Sequence, residues 1–303
     1  MPGEPEPAIT APDGASSPAV PIDVGDGPPV LLVHGQPGMG TGWQPVVDLL
    51  CHEFRVIAPD RPGWGAHPRP ATTLAGNTAA ILRMLHDRGV TSEEREPLVV
   101  VGHSLGGGIA LELALSAPEI VGALVLVSSV GVASAVTGID RLLASPVVGD
   151  QLLRAGGVAL QRTVLAMTRL TRNRRTEALL ERANRFPAVR AVMAEGAKGM
   201  DGRDRRSFLV EQRALIDETP SIERRLATLH LPVVVIHGSA DHIVSPHAAT
   251  LLASAIPGAE LVLRPNAGHR LPFEQPEVVA EAVRRYGALV SRGAPPRRGA
   301  PGA

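Results

Sequence analysis

"VVVGHSLGGGIALELAL", Val99 to Leu115, holds three β-branched residues, a serine between two glycines, and then apolar residues three and four apart. Read as strand, tight turn and helix, the stretch places polar Ser104 at the junction of two apolar elements. Gly102-His103-Ser104-Leu105-Gly106 fits the pattern G-x-S-x-G. In that pattern the glycines remove Cβ clashes, and the serine takes a strained backbone angle that lifts its Oγ above a sheet. The N-terminus of the following helix then favours negative charge beside that oxygen. A second reading makes Ser104 a plain N-cap of the helix. The choice turns on whether the chain also supplies a base, an acid and an oxyanion site.

The strand signal recurs. "PPVLLVHG", "FRVIAPD", "PLVVVGH", "GALVLVSS", "LPVVVIHG" and "AELVLRP" are short aliphatic runs bounded by turn residues and lacking polar alternation. Such runs suit strands buried on both faces, as in a parallel sheet. Helical periods separate most of them, at Asn77 to Gly89, Gly106 to Pro118 and Pro276 to Arg292. This alternation predicts an α/β fold, a mostly parallel central sheet flanked by helices with right-handed crossovers.

From about Ala133 to Leu229 no strand signal appears, while "DRRSFLVEQRALIDE" and neighbouring stretches are amphipathic. The expected organisation is a core of 28–132 and 230–292 with a helical lid, 133–229, inserted between strand signals. Residues 1–27 and 293–303 are rich in Pro, Gly and small residues and are expected to be loose. Pro12, Pro18 and Pro21 interrupt the region before the first aliphatic run, predicting a reduced or irregular sheet edge and leaving a homodimer open.

Composition excludes several classes. Lys plus Arg equals Asp plus Glu at 30 each, which gives no electrostatic case for a nucleic-acid partner. Cys51 is the only cysteine, so neither an internal disulfide nor a thiolate metal site can form. No run approaches the ~18 consecutive apolar residues of a membrane span, and the proline- and acid-rich start lacks the basic end and apolar run of a secretory signal. A cytoplasmic protein without stable membrane insertion, cofactor or metal is therefore expected.

Two downstream segments supply the missing partners. Asp241 lies in "VVVIHGSADHIVSP", just past a strand, where its carboxylate would stand at the C-terminal edge of the sheet. His269 lies in "LVLRPNAGHRLPFEQPE", again past a strand in a turn-rich loop. Ser104, Asp241, His269 is the chain order of a triad built on such a sheet. His269 would take the proton from Ser104, and Asp241 would hold the imidazole's tautomer and stabilise its cation. Asp140, Asp217 and Glu218 compete with Asp241 as acids but read as solvated helix charges. His103 reads as a packing or loop hydrogen-bonding residue in the pocket, and Arg270 is a cation beside His269.

With "HGQPG", "DRPGWG", "GHSLGG", "GSADHIVSP" and "AGHRLPFEQPE", the chain resembles the serine hydrolases of the α/β-hydrolase superfamily, esterases and lipases among them. The resemblance implies that the turn His34-Gly35-Gln36 follows a strand and sets the backbone N–H of Gln36 beside that of Leu105 as an oxyanion hole. His34, Gly35 and Trp64 would then line the pocket or its rim, and Asp60 would brace the loops. The implied activity is hydrolysis of a carboxylic ester of a small or medium hydrophobic substrate through an acyl-enzyme.

Two alternatives stay open. One is carbon–carbon bond hydrolysis of the ring-cleavage-product type, suggested by "LVLVSSVGV" and the helical insertion; the other is a non-catalytic ligand-binding homologue. Substrate choice falls to the lid, where residues 150–190 hold nine arginines against three acids. That stretch reads either as a solvated helical face or as a surface for an anionic or amphiphilic substrate or a membrane.

Overall fold

The computed structural model describes residues 21–91, 97–145, 148–151, 153–154 and 200–291. Each aliphatic run carries a strand: β2 (Pro29–Val33), β3 (Arg55–Ala58), β4 (Leu98–His103), β5 (Val121–Val127), β6 (Val233–Gly238) and β7 (Glu260–Arg264). A further strand, β1 (Ile22–Val24), lies within the 1–27 segment expected to be loose. It pairs antiparallel with β3, so that expectation is corrected at residues 22–24. Residues 1–20 and 292–303 lie outside the described residues.

The sheet has the order β1-β3-β2-β4-β5-β6-β7, and every pairing except that of β1 is parallel. Its strands alternate between two apolar layers. Leu31, Val33, Leu98 and Val100 pack on the face covered by α2 (Leu74–Asp87), α3 (Leu105–Ser116) and α6 (Pro246–Ala255). Val30, Leu32, Val99 and Val101 pack on the face covered by α1 (Gln44–Leu50) and α8 (Pro276–Ser291). Burial on both sides is why these runs carry no polar alternation. Helix α2 begins three residues before its apolar period because the Thr73 side chain accepts the Gly76 N–H at 3.0 Å.

Chain order positions the site. From β2 the chain moves outward to β3, then crosses back to β4 and continues the other way through β5, β6 and β7. The helices that follow β2 and β4, α1 and α3, pack on opposite faces of the sheet. Adjacent strands whose connections diverge in this way open a crevice at their C-terminal ends. The turn after β2 carries His34-Gly35-Gln36, and the turn after β4 carries Ser104.

Between β5 and β6 the chain inserts α4 (Gly138–Leu143) and α5 (Gly202–Arg225). Asp201 caps α5 by accepting the N–H groups of Arg203 and Asp204. The inner face of α5 buries Phe208, Glu211, Gln212, Leu215, Thr219 and Ile222, spaced by three and four. Leu215 and Ile222 join the α2–α3 layer, while Phe208 packs with Trp64 and Leu143. α7 (Leu271–Glu274) follows His269 and buries Leu271. The arginine-rich part of the insertion, residues 155–199, lies outside the described residues. Among the described residues, no helix is long and apolar enough to cross a membrane.

Candidate active site

Ser104 adopts φ 54° and ψ −121°, a left-handed conformation at a non-glycine residue. Such an angle costs on the order of 1–3 kcal/mol and persists only where the surroundings enforce it. Here the Ser104 N–H donates to the Val127 carbonyl at 3.1 Å, and the Ser104 carbonyl accepts from Gly107 at 3.0 Å and Val130 at 3.2 Å. Gly106 lets the elbow close on β2, since a Cβ there would stand 2.2 Å from the Val33 carbonyl oxygen. The Ser104 side chain makes no capping hydrogen bond to α3. The N-cap reading therefore fails, and the hydroxyl is left for other work.

The β2 turn presses on the same spot. A Cβ on Gly35 would lie 3.0 Å from the Ser104 Cβ and 3.2 Å from His103 Nδ1. His34, buried beneath this turn, donates from Nδ1 to the Gly35 carbonyl at 2.8 Å and accepts the Arg61 backbone N–H on Nε2 at 3.2 Å. Burial, reinforced by the Arg61 cation, holds its pKa well below the ordinary value, so the ring is neutral. Arg61 donates from Nε to the His34 carbonyl at 3.0 Å and from Nη2 to the Gly35 carbonyl at 2.9 Å. Leu105 opens α3, so its N–H is among those with no acceptor inside the helix.

Asp241 and His269 meet across the loops after β6 and β7. Asp241 Oδ2 accepts from His269 Nδ1 at 2.8 Å, and Oδ1 accepts the N–H groups of Ile243 at 2.8 Å and Val244 at 3.0 Å. Because a carboxylate only accepts, His269 Nδ1 is the donor of that bond. His237, fully buried, brings Nε2 within 3.3 Å of Asp241 Oδ2 and donates to the Val244 carbonyl at 3.0 Å. Burial works against ionisation of Asp241, but the hydrogen bonds from His237 and His269 outweigh it and hold the carboxyl far below its usual range.

His103 ties the halves together. Its Nε2–H donates to the His269 carbonyl at 2.9 Å, and the two rings stand 5.0 Å apart. The rings of Trp43 and Phe273 stand near-perpendicular to it, 6.4 Å and 6.0 Å away. Burial, aided by the neighbouring His269, lowers its pKa to about 3. A neutral imidazole one residue before Ser104 thus anchors the backbone of residue 269.

Trp64, expected at the rim, is 3% exposed and packed against Leu143 and Phe208, so it supports the insertion from below. Asp60 braces loops as expected, accepting the N–H groups of Gly40 and Ala66, each at 2.8 Å. Asp140 and Glu218 are structural partners in addition to helix charges: Asp140 accepts from Gln212 at 3.1 Å, and Glu218 accepts the Ala75 N–H at the start of α2 at 3.0 Å. The Arg270 guanidinium lies 5.2 Å over the Phe273 ring.

Sequence reasoning missed Arg61, Glu211, Gln212 and His237. The signal for Glu211 was present, a carboxylate on the same helical stripe as Phe208 and Leu215. Among the described residues no group of three or more His, Cys, Asp or Glu side chains converges to hold a metal.

The sequence and the fold have relatives among known proteins. The chain is 31% identical over 268 residues to the 2-hydroxymuconate semialdehyde hydrolase of Pseudomonas sp. strain CF600, covering 86% of this chain and 87% of that protein. It is similar to the structure of a meta-cleavage product hydrolase from Pseudomonas fluorescens IP01, at 25% identity and TM-score 0.57, covering 87% of this chain and 92% of that one. It also shares the fold of a thermophilic esterase from Thermogutta terrifontis, at 24% identity and TM-score 0.65, covering 89% and 92% of the two chains. The model of the alpha/beta hydrolase family matches residues 30–282, and with the sheet order and the Ser104 elbow already described, the chain belongs to that family.

Proposed function

We propose that the protein is a serine hydrolase that cleaves a carboxylic ester of a small or medium hydrophobic substrate through an acyl-enzyme. The observation that carries this reading is a strained serine free of any capping bond, whose chain neighbour His103 bonds the backbone of a histidine that is itself bonded through Nδ1 to an ionised aspartate. In the proposed reaction Ser104 Oγ gives its proton to His269 Nε2 and attacks the substrate carbonyl carbon. The N–H groups of Gln36 and Leu105 receive the tetrahedral oxyanion. Collapse breaks the bond to the alcohol oxygen, which leaves with the proton from His269. Water then attacks the acyl carbon, passes a proton to His269, and releases the acid and free Ser104. Asp241 stays ionised throughout and holds the imidazole in one tautomer. The insertion carrying α4 and α5 acts in this scheme as the lid above the crevice.

The 31% identity to a 2-hydroxymuconate semialdehyde hydrolase supports a second reading, carbon–carbon cleavage of a vinylogous diketone by the same residues. Turnover of p-nitrophenyl esters compared with a dienoate ketone separates the two. Both require a reactive serine. A fluorophosphonate probe is expected to form a covalent adduct at Ser104 in the folded protein, and no adduct there overturns both readings.

A further inference from the structure

Arg61 and the inserted helix α5 supply none of the proposed catalytic groups, yet both bond directly to the β2 turn. We propose that Arg61, Glu211 and Gln212 are positioning residues through which α5 sets the orientation of the Gly35–Gln36 peptide. The proposal rests on the catalytic reading, in which the Gln36 N–H is an oxyanion donor.

The first link runs through the backbone. The Gly35 carbonyl accepts from His34 Nδ1 and Arg61 Nη2, so it is tied toward Arg61. A trans peptide is planar with its N–H opposite its carbonyl, so fixing the Gly35 carbonyl fixes the direction of the Gln36 N–H. Arg61 is itself held by Glu211: Nη1 pairs closely with Oε1, and Nη2 lies 3.3 Å from Oε2. Asn77 Oδ1 stands 3.3 Å from Nη1. Both charged side chains are 0% exposed. For stability alone, apolar side chains of similar volume serve as well as a buried ion pair, whereas a planar guanidinium addressing two adjacent carbonyls specifies geometry.

The second link runs through side chains. Gln36 Nε2–H donates to Gln212 Oε1 at 2.5 Å, and Gln212 Nε2–H donates to Asp140 Oδ1 at 3.1 Å. Asp140 is anchored in its turn by the capping box of α4, accepting from the Thr137 N–H at 2.7 Å and hydroxyl at 2.6 Å. Gln36 Oε1 is buried with no hydrogen-bond partner among the described residues. Gln212 is therefore the contact that fixes this amide. Glu211 and Gln212, adjacent on α5, hold the same turn from its carbonyl side and its side-chain side.

The test uses the full chain, a p-nitrophenyl ester, fluorophosphonate labelling of Ser104 and thermal unfolding. Gln212→Leu removes the second link at similar volume and is expected to lower kcat and the labelling rate about 10-fold, with KM within about two-fold, because an oxyanion donor acts on the transition state. Glu211→Gln keeps the side-chain shape, weakens the hold on Arg61, and is expected to lower kcat by a further few-fold. Glu218→Gln loosens α5 at α2 without touching the turn and is expected to keep kcat within about two-fold. An active wild type whose folded Gln212→Leu variant keeps its kcat overturns this inference alone. An equal kcat loss in Glu218→Gln also overturns it, since seating of the helix would then suffice. A wild type with neither turnover nor adduct overturns the catalytic reading and this inference together.

Discussion

The Ser104 elbow and the seam beneath α5 are both buried, but they are held by different forces. At the elbow the constraints are steric and local: Gly106 meets the Val33 carbonyl, and backbone hydrogen bonds from β5 and α3 close on Ser104. At the seam they are polar and distant in sequence, with Arg61 reaching Glu211 and Gln36 reaching Gln212. The elbow tolerates little because a Cβ cannot be moved out of a backbone. The seam depends on charge pairs and amides whose loss leaves buried partners unsatisfied. A local motif can thus strain a serine, while the partners bonded to the turn beside it come from across the fold.

The largest effect should come from Ser104→Ala, which breaks the elbow's chemistry and spares its shape. We expect turnover to fall by at least about 10⁴-fold with little change in stability, read by kcat and by urea unfolding. Retained turnover with an unchanged fold would remove Ser104 from the mechanism.

Arg61→Met tests the other side of the comparison. Leaving Glu211 buried without its cation is expected to cost about 3–5 kcal/mol, measured by urea unfolding. Pairing it with Glu211→Leu should recover part of that stability, because no charge is then stranded. If the double variant is no more stable than the single one, the seam is held by something other than the ion pair.

Acid should reach both regions. His34 and His103 are neutral in the fold with pKa values below the ordinary 6.5. The unfolded chain therefore binds more protons than the native one below pH 6.5. Their contribution is fully present above that pH and is lost as pH falls toward about 3 for His103. Each histidine then removes up to about 1.4 kcal/mol per pH unit. Asp241, whose folded pKa is also depressed, adds a further loss once pH drops below the usual carboxylate range. Urea unfolding between pH 7 and pH 5 should show this decline, and His103→Gln should flatten it. A flat wild-type profile would place these imidazoles in contact with water.

The smallest effect is expected from Glu218→Gln, which weakens one acceptor for the first turn of α2. A loss of about 1 kcal/mol or less in thermal or urea unfolding is expected. A larger loss would mean that α5 is seated by a few contacts and not by many.

The sequence by itself determined the α/β alternation and the parallel strands, and it singled out Ser104, Asp241 and His269 as candidates. Those features are written locally, as apolar runs, helical periods and turn glycines, or as residues placed just after a strand. It also announced the β2 turn, whose Gly35 does lie against Ser104. Only the tertiary structure decided that Trp64 is packed under the insertion, that residues 22–24 pair as an edge strand, and that His103 anchors the loop of His269. It alone brought Arg61 to Glu211 across 150 positions and Gln36 to Gln212 across 176. Periodicity tells which face of a helix is buried, but the partner on that face is chosen by how the elements cross. A buried Arg–Glu pair therefore shows in one sequence only as a carboxylate on an apolar stripe.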